Sequence, residues 1–317
     1  MRNKSSIRHK TQNTFLKKGF IAVAVIVLAV LSLKLISVFK NSLWDGAERI
    51  NFVINAQDVT LVSFEPVEKT LTFVEIPSNT LMEVTRGYGE YQLGAIEKLG
   101  ELEKRKDLTR ETLQENLALP VTGIIQNLTS QENKVNSRDN LNDILIKGLT
   151  GKNKTNLSGW DMVRLWWQIK SVKEADVLIF NLEKRDLLTV KILADRTKVY
   201  TLDTPIFDLK MQNLMGIQVV KDENLTLEIF NATKTIGLAE KASRIFTNIG
   251  VRVVFLNNAE KEADKTIIKG NKNLKKTKTV GIIKRLFNCE WQDTSESERA
   301  DLTLIIGNDY NQKLQEK

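Results

Sequence analysis

Histidine and cysteine are almost missing from this chain of 317 residues, with one of each. The histidine is His9, in a basic N-terminal tail, and the cysteine is Cys289. These scarcities exclude an intrachain disulfide, and they exclude a Ser-His-Asp triad, a Cys-His dyad or a His-ligated zinc site beyond residue 40. Chemistry there must use carboxylates, Arg or Lys, hydroxyls and at most a bound Mg²⁺. Cys289 closes an apolar helical stretch and reads as a small core residue. Proline is scarce too, at four residues, and the first 40 positions hold no acidic residue.

That last absence explains the charge. The formal net charge is +8, and the tail carries Arg2, Lys4, Arg8, Lys10, Lys17, Lys18, Lys34 and Lys40. Taking these eight from the 47 basic residues leaves 39, against 39 acidic ones. The surplus therefore belongs to the tail, so no basic folded face is implied and nucleic acid is not an expected partner. The tail leads into Phe20–Phe39, FIAVAVIVLAVLSLKLISVF, interrupted only by Lys34. About 20 apolar residues span a bilayer, and a Lys near a helix end can snorkel to the interface. A cleaved signal peptide could also use the run Phe20–Leu33, but no small-x-small site follows it. The expectation is a basic cytoplasmic tail at 1–19, one transmembrane helix at 20–39, and a cell-membrane protein whose bulk is extracytoplasmic.

Past the membrane segment the pattern predicts an α/β (α+β) chain: a domain over 45–200, a linker over 201–221 and a C-terminal domain over 222–312. After a polar neck at Trp44–Glu48, Val59–Pro66 and Thr70–Pro77 read as a hairpin. Leu117–Gln126 reads as a strand or its approach, and Thr129–Ser158 as mostly loop with a short helix at Leu141–Lys147. Trp160–Val172 reads as a helix. Core packing is the expected role of Trp166 and Trp167, with contact to lipid or glycan as the alternative. Ala175–Phe180 and Leu187–Leu193 read as strands, and Asp203–Glu223, which contains Pro205, as a connector. The Lys-rich run Lys272–Lys278 reads as a solvated helix face.

The most informative stretch is Leu225–Glu260. Leu225, Leu227 and Ile229 alternate with polar neighbours as a half-buried strand does, and Asn231 and Thr233 supply turn chemistry. Leu238, Ala242, Ile245, Phe246 and Ile249 then recur at helical spacing before Gly250, where a helix stops. A second strand follows Gly250 within this stretch, and Lys265–Lys269, Leu274–Phe287 and Leu302–Ile306 continue as strand, helix and strand. That order predicts a split βαβ domain (βαββαβ), with one antiparallel sheet and two helices on one face. The residues Asn231-Ala232-Thr233, Gly237-Leu238-Ala239 and Ile306-Gly307-Asn308-Asp309-Tyr310 resemble the C-terminal domain of the LytR family. Ala232 replaces the usual Gly, so this turn does not demand a positive φ.

A weaker resemblance to the LytR-CpsA-Psr domain covers roughly 50–126. It rests on Asp58, the strand VTLVSFEP, Ile76-Pro77-Ser78-Asn79-Thr80, Gly87-Tyr88-Gly89 and Leu117–Pro120. The resemblance implies transfer of a glycopolymer from a polyprenyl pyrophosphate, with Mg²⁺ and arginines on the pyrophosphate. Here Ser78 and Asn79 stand where the family has Arg and Asp, so a degenerate domain is expected, with no catalytic residue and no cofactor. The preferred function is a non-catalytic envelope protein binding cell-wall glycan or an envelope protein. The alternatives are a Mg²⁺-dependent glycopolymer phosphotransferase with relocated arginines and a membrane scaffold of the cell-division type. Candidate ligand-binding residues are Asp58, Arg86, Arg164, Asn231 and Thr233.

Overall fold

Ile50–Asn55 (β1), Val59–Glu65 (β2) and Thr70–Ile76 (β3) open the fold as an antiparallel meander. This is a computed structural model, and it describes residues 41–126, 135–294 and 299–315. The expected tail and membrane helix therefore lie outside the described residues, among which no helix is long and apolar enough to cross a membrane. Thr80–Val84 (β4) and Gly89–Gln92 (β5) make a second hairpin, followed by helices Leu93–Leu102 (α1) and Leu108–Leu117 (α2) and by strand Gly123–Gln126 (β6). Arg138–Leu149 (α3), Lys154–Thr155 (β7) and Gly159–Ile169 (α4) come next. Val177–Asn181 (β8), Leu188–Ile192 (β9), Lys198–Leu202 (β10) and the helix Thr204–Met215 (α5) complete the central domain.

Its main sheet runs β7-β6-β1-β2-β3-β8, with β6 parallel to β1 and β8 parallel to β3. Val53, Leu61 and Val74 face one core with α1, α2 and α5, while Phe52, Phe64 and Phe73 face another with α3 and α4. Because helices cover both faces, β1 and β2 are buried at every position. Double burial removes the apolar-polar alternation by which strands are read, and so β1, written INFVIN, is not read as a strand in sequence. A smaller sheet, β5-β4-β10-β9, joins the first core through Met82 and Val84.

Three local expectations change. Leu117 ends α2 rather than starting a strand, and Ala118 caps that helix in the left-handed region at φ 47°. Within the expected loop, α3 runs a full twelve residues, opened by Ser137 accepting the Asn140 N–H at 3.2 Å. The connector is two helices, α5 and Gln218–Glu223 (α6). Asp203 caps α5 and Pro205 sits in its first turn, where a missing N–H costs nothing. Phe207, Met211 and Met215 belong to the central core, whereas Ile217 and Val220 belong to the C-terminal one.

The C-terminal domain continues with Thr226–Asn231 (β11), Leu238–Ile249 (α7), Arg252–Asn258 (β12), Ile267–Gly270 (β13), Lys278–Phe287 (α8), Glu290–Asp293 (β14), Leu302–Ile306 (β15) and Asn308–Gln315 (α9). Its sheet corrects the split βαβ expectation. Five strands run in the order β12-β11-β15-β13-β14, β11 is parallel to both neighbours, β13 is parallel to β14, and only β13–β15 is antiparallel. Each crossover helix returns the chain to the same end of the sheet, so the strands it joins lie side by side and parallel. The strand missed in sequence is β14, EWQD, which has no buried residue.

Two helices do share one face. Phe246 of α7 stacks on Phe287 of α8 with ring centroids 5.1 Å apart, and Phe287 stacks on Tyr310 of α9 at 4.3 Å. Gly250 stops α7 at φ 104°, as its position suggests. Cys289 is buried, and burial pushes its thiol up to about 12, which makes it inert. Lys272–Lys276 is an exposed 3₁₀ turn ahead of α8.

Candidate functional site

A cleft of about 820 Å³ opens between the two domains. One wall is the β4–β5 turn, in which Arg86 and Gly87 both have positive φ, 68° and 69°. Tight hairpins use such pairs, but a side chain in that region carries a steric cost that Gly or Asn would avoid. Arg86 is held there from both domains. Its N–H donates to the Leu314 carbonyl of α9 at 2.7 Å, and its guanidinium meets Glu111 of α2 at 2.9 Å.

The opposite wall is the turn after β11. Asn231 Oδ1 accepts the Thr233 N–H at 3.1 Å and its hydroxyl at 2.8 Å, while Asn231 Nδ2 donates to the Thr235 carbonyl at 2.8 Å. Thr235 Oγ1 in turn donates to Asn311 Oδ1 at 2.9 Å. Ala232 has no positive φ, as its replacement of Gly implies. This polar knot presents Thr235 and the 97 % exposed Ile236 to the cleft. Glu115 and Asn116 of α2, Thr204 of α5, and Lys241 and Arg244 of α7 supply the floor and rim.

The domains are fixed against each other beneath it. Arg244 makes a two-point ion pair with Asp208 of α5, at 2.7 and 3.1 Å, and donates to the Asn116 carbonyl at 3.3 Å. Asn248 donates to the Ala118 carbonyl at 3.2 Å and to Asp208 Oδ1 at 3.0 Å. With Arg86 answered by Glu111 and Arg244 by Asp208, the cleft mixes donors and acceptors instead of concentrating positive charge.

At its inner edge the Tyr310 hydroxyl points at Glu115 Oε1, 3.5 Å away. Burial pushes the Glu115 carboxyl above the ordinary range, only partly opposed by Lys241. Burial, then the Glu115 charge, push the Tyr310 phenol up. A carboxyl whose folded pKa is raised binds its proton more tightly folded than unfolded. Stability from this group therefore falls as pH rises from the unfolded value, about 4.3, through the folded one. Glu115→Gln is expected to raise the melting temperature at pH 7.5, with the gain over wild type closing as the pH approaches 4. A gain independent of pH would mean that ionisation is not the cause.

The five candidate residues do not meet in one place. Arg86 lines the cleft, and Asn231 and Thr233 shape its turn. Asp58 sits at the end of the central sheet, where its Oδ1 accepts the Ser78 N–H at 3.1 Å. Ser78 in turn accepts the Gly94 N–H at 2.8 Å, and Asn79 Nδ2 donates to the Lys198 carbonyl at 3.2 Å. These three residues thus tie turns together. Arg164 lies on α4, bonded to the Trp44 carbonyl and stacked 5.3 Å over Trp160. Among the described residues, no group of three or more His, Cys, Asp or Glu is placed to hold a metal ion. Glu115, Asn116, Lys241, Arg244 and Asn311 escape sequence reading because they come from three helices that touch only in the fold.

Comparison with known proteins identifies the C-terminal domain. A family model described as "LytR cell envelope-related transcriptional attenuator" matches residues 224–310. These residues are a LytR C-terminal domain. The cleft wall at Asn231–Thr235 and the Tyr310 stack are therefore parts of a LytR domain. No curated protein sequence matches the chain. Among solved structures, Bacillus subtilis TagT is similar at 18 % identity and a TM-score of 0.40, over 54 % of this chain and 91 % of that one. The B. subtilis protein YvhJ is similar at 14 % identity and 0.42, over 54 % and 97 %. The LytR-CPS2A-psr family protein YwtF (TagT) with bound octaprenyl pyrophosphate lipid is similar at 17 % identity and 0.38, over 54 % and 92 %.

Proposed function

We propose that this chain is a single-pass bacterial envelope protein with its folded domains outside the membrane, binding cell-wall glycan in the interdomain cleft without transferring it. The observation that carries the reading is the composition of the cleft. Pyrophosphate calls for uncompensated cations, since each charge-assisted bond to it contributes about 1.5–3 kcal/mol. A sugar chain instead calls for paired donors and acceptors beside small apolar patches. Arg86 and Arg244 are neutralised by Glu111 and Asp208. Asn116, Asn311, Thr204 and Thr235 offer mixed hydrogen bonding, and Ile236 and Leu314 offer apolar surface. The apolar run Phe20–Phe39 and the LytR domain support the envelope setting.

An envelope protein as ligand is the second reading. It is favoured by the sheet face opposite α7 and α8, where half-buried Phe230 and Phe255 pair at 5.9 Å and Arg299 lies 4.9 Å over Phe255.

The test is co-sedimentation of the full chain in detergent with purified cell wall, alongside Ile236→Asp and Lys241→Glu. Both side chains are exposed, so folding should be untouched. Each substitution is expected to weaken binding about tenfold, or about 1.4 kcal/mol. Wall binding unchanged by both would sink the cleft reading. Mg²⁺-dependent glycopolymer transfer that disappears in Asp58→Ala would replace it with the phosphotransferase.

A further inference from the structure

We infer that helix α4 lies flat in the headgroup layer of the membrane, with Trp160, Val163 and Trp167 as its lipid-facing stripe. The inference rests on the single-pass anchor proposed above and adds the surface by which the folded part meets the bilayer.

The neck is moored to α4. Ser42 Oγ donates to Asp161 Oδ1 at 2.5 Å, the Leu43 N–H to Oδ2 at 3.0 Å and the Trp44 N–H to Oδ1 at 3.2 Å. Arg164 bonds the Trp44 carbonyl, and Gln168 Nε2 donates to the Gly46 carbonyl at 3.1 Å. The apolar run ends at Phe39, three residues before Ser42. At about 3.5 Å per residue, three residues reach no more than about 11 Å. The polar layer on each side of a bilayer is about 5–8 Å thick. The start of α4 is thus held at the membrane surface by the length of chain available.

The outward stripe on α4 fits that place: Val163 and Trp167 are exposed, and Trp160 is half-buried beside Arg164 at its start. At about 100° per residue, Trp160, Val163 and Trp167 fall within an arc of about 60°. They lie opposite Met162, Leu165 and Ile169, which are buried in the core. Trp167 is 73 % exposed, so the expected core role fails for it, and the alternative of contact with lipid or glycan is the one the inference takes up. Trp166 is half-buried beneath Lys170, whose Nζ lies 3.5 Å from the ring centroid. Leu149 of α3 lies against Gly159 and extends the apolar surface at the helix start, where Leu43 is also exposed. The only acidic residue of α4, Asp161, is fully buried, while Lys170 follows the helix exposed. Exposed tryptophan beside an exposed lysine, with no acid on the surface of the helix, suits an interfacial helix on anionic lipid.

The test uses the full chain reconstituted into vesicles of phosphatidylethanolamine and phosphatidylglycerol. Trp167→Cys and, as reference, Val254→Cys on β12 are labelled with an environment-sensitive bimane; Cys289 is buried and does not compete. Circular dichroism melts establish that both variants fold. With a lipid spin-labelled at the headgroup, the probe at Trp167→Cys is expected to lose about half its emission while the reference is unchanged, because α4 lies within the headgroup layer. Equal quenching at both sites, or none at either in vesicles that carry the protein on flotation, overturns the inference and leaves the anchor standing. Protein that does not float with the vesicles overturns the anchor itself, and the inference with it.

Discussion

Arg49→Met is expected to destabilise the protein by about 3–5 kcal/mol, because it strands a buried carboxylate. Arg49 Nε lies 3.2 Å from Glu65 Oε2, and the side chains are 5 % and 3 % exposed. The same guanidinium donates to Ser63 Oγ at 2.9 Å and to the Gly216 carbonyl at 3.2 Å, where α5 passes to α6. It therefore joins the neck, β2 and the start of the C-terminal domain through one charge. Burial already pushes Glu65 up and Arg49 down, so the pair holds its charges through mutual attraction, these hydrogen bonds and the Val67 N–H that donates to Glu65 Oε1. The double variant Arg49→Met/Glu65→Leu is expected to regain most of the loss, since an apolar pair removes the desolvation penalty with the partner. Urea unfolding of wild type, both single variants and the double variant gives the cycle. A double variant no better than Arg49→Met would mean that the Gly216 and Ser63 bonds, not the charges, are what the junction needs.

The second large effect is expected at Asp161. Its carboxylate is fully buried and accepts from Ser42 Oγ, the Leu43, Trp44 and Ser158 N–H groups and Ser158 Oγ. Asp161→Ala leaves several donors unpaired and removes the acidic half of the capping box of α4. With bonds to a charged acceptor contributing about 1.5–3 kcal/mol each, a loss of about 3 kcal/mol or more is expected. It should appear first as release of the neck: chymotrypsin should cut after Leu43 or Trp44 far faster than in wild type, before any change at α7 or α8. Cleavage that accelerates equally across both domains would show that Asp161 supports the whole fold and not the mooring alone.

Legibility followed burial. β11, α7 and β15 could be read because each has one buried and one partly exposed side, or a glycine at its end, and β2, though buried throughout, because Pro66 and a short turn set it off against β3. β1 is buried on both faces and shows no alternation, and β14 has no buried residue at all, so neither carries a pattern. Missing β14 also hid the topology, because a sheet read with four strands suits a split βαβ and one with five suits two side-by-side βαβ crossovers. Trp166 and Trp167 show the limit from the other direction: adjacent in sequence and alike in chemistry, they differ in exposure because one step along a helix turns a side chain by about 100°.

By itself the sequence determined what is local or compositional: the excluded chemistries, the confinement of net charge to the tail, the hydrophobic run before the neck, and the residues Asn231–Ala239 and Ile306–Tyr310 that mark the LytR domain. The tertiary structure alone decided which polar groups converge. Arg86, Glu115, Asn116, Lys241, Arg244 and Asn311 are scattered over more than 200 residues, and no periodicity links them. They become one cleft because Phe207, Met211 and Met215 bury α5 in the central core while Asp208, on the same helix, reaches α7, so apolar packing within one domain sets the position of the other.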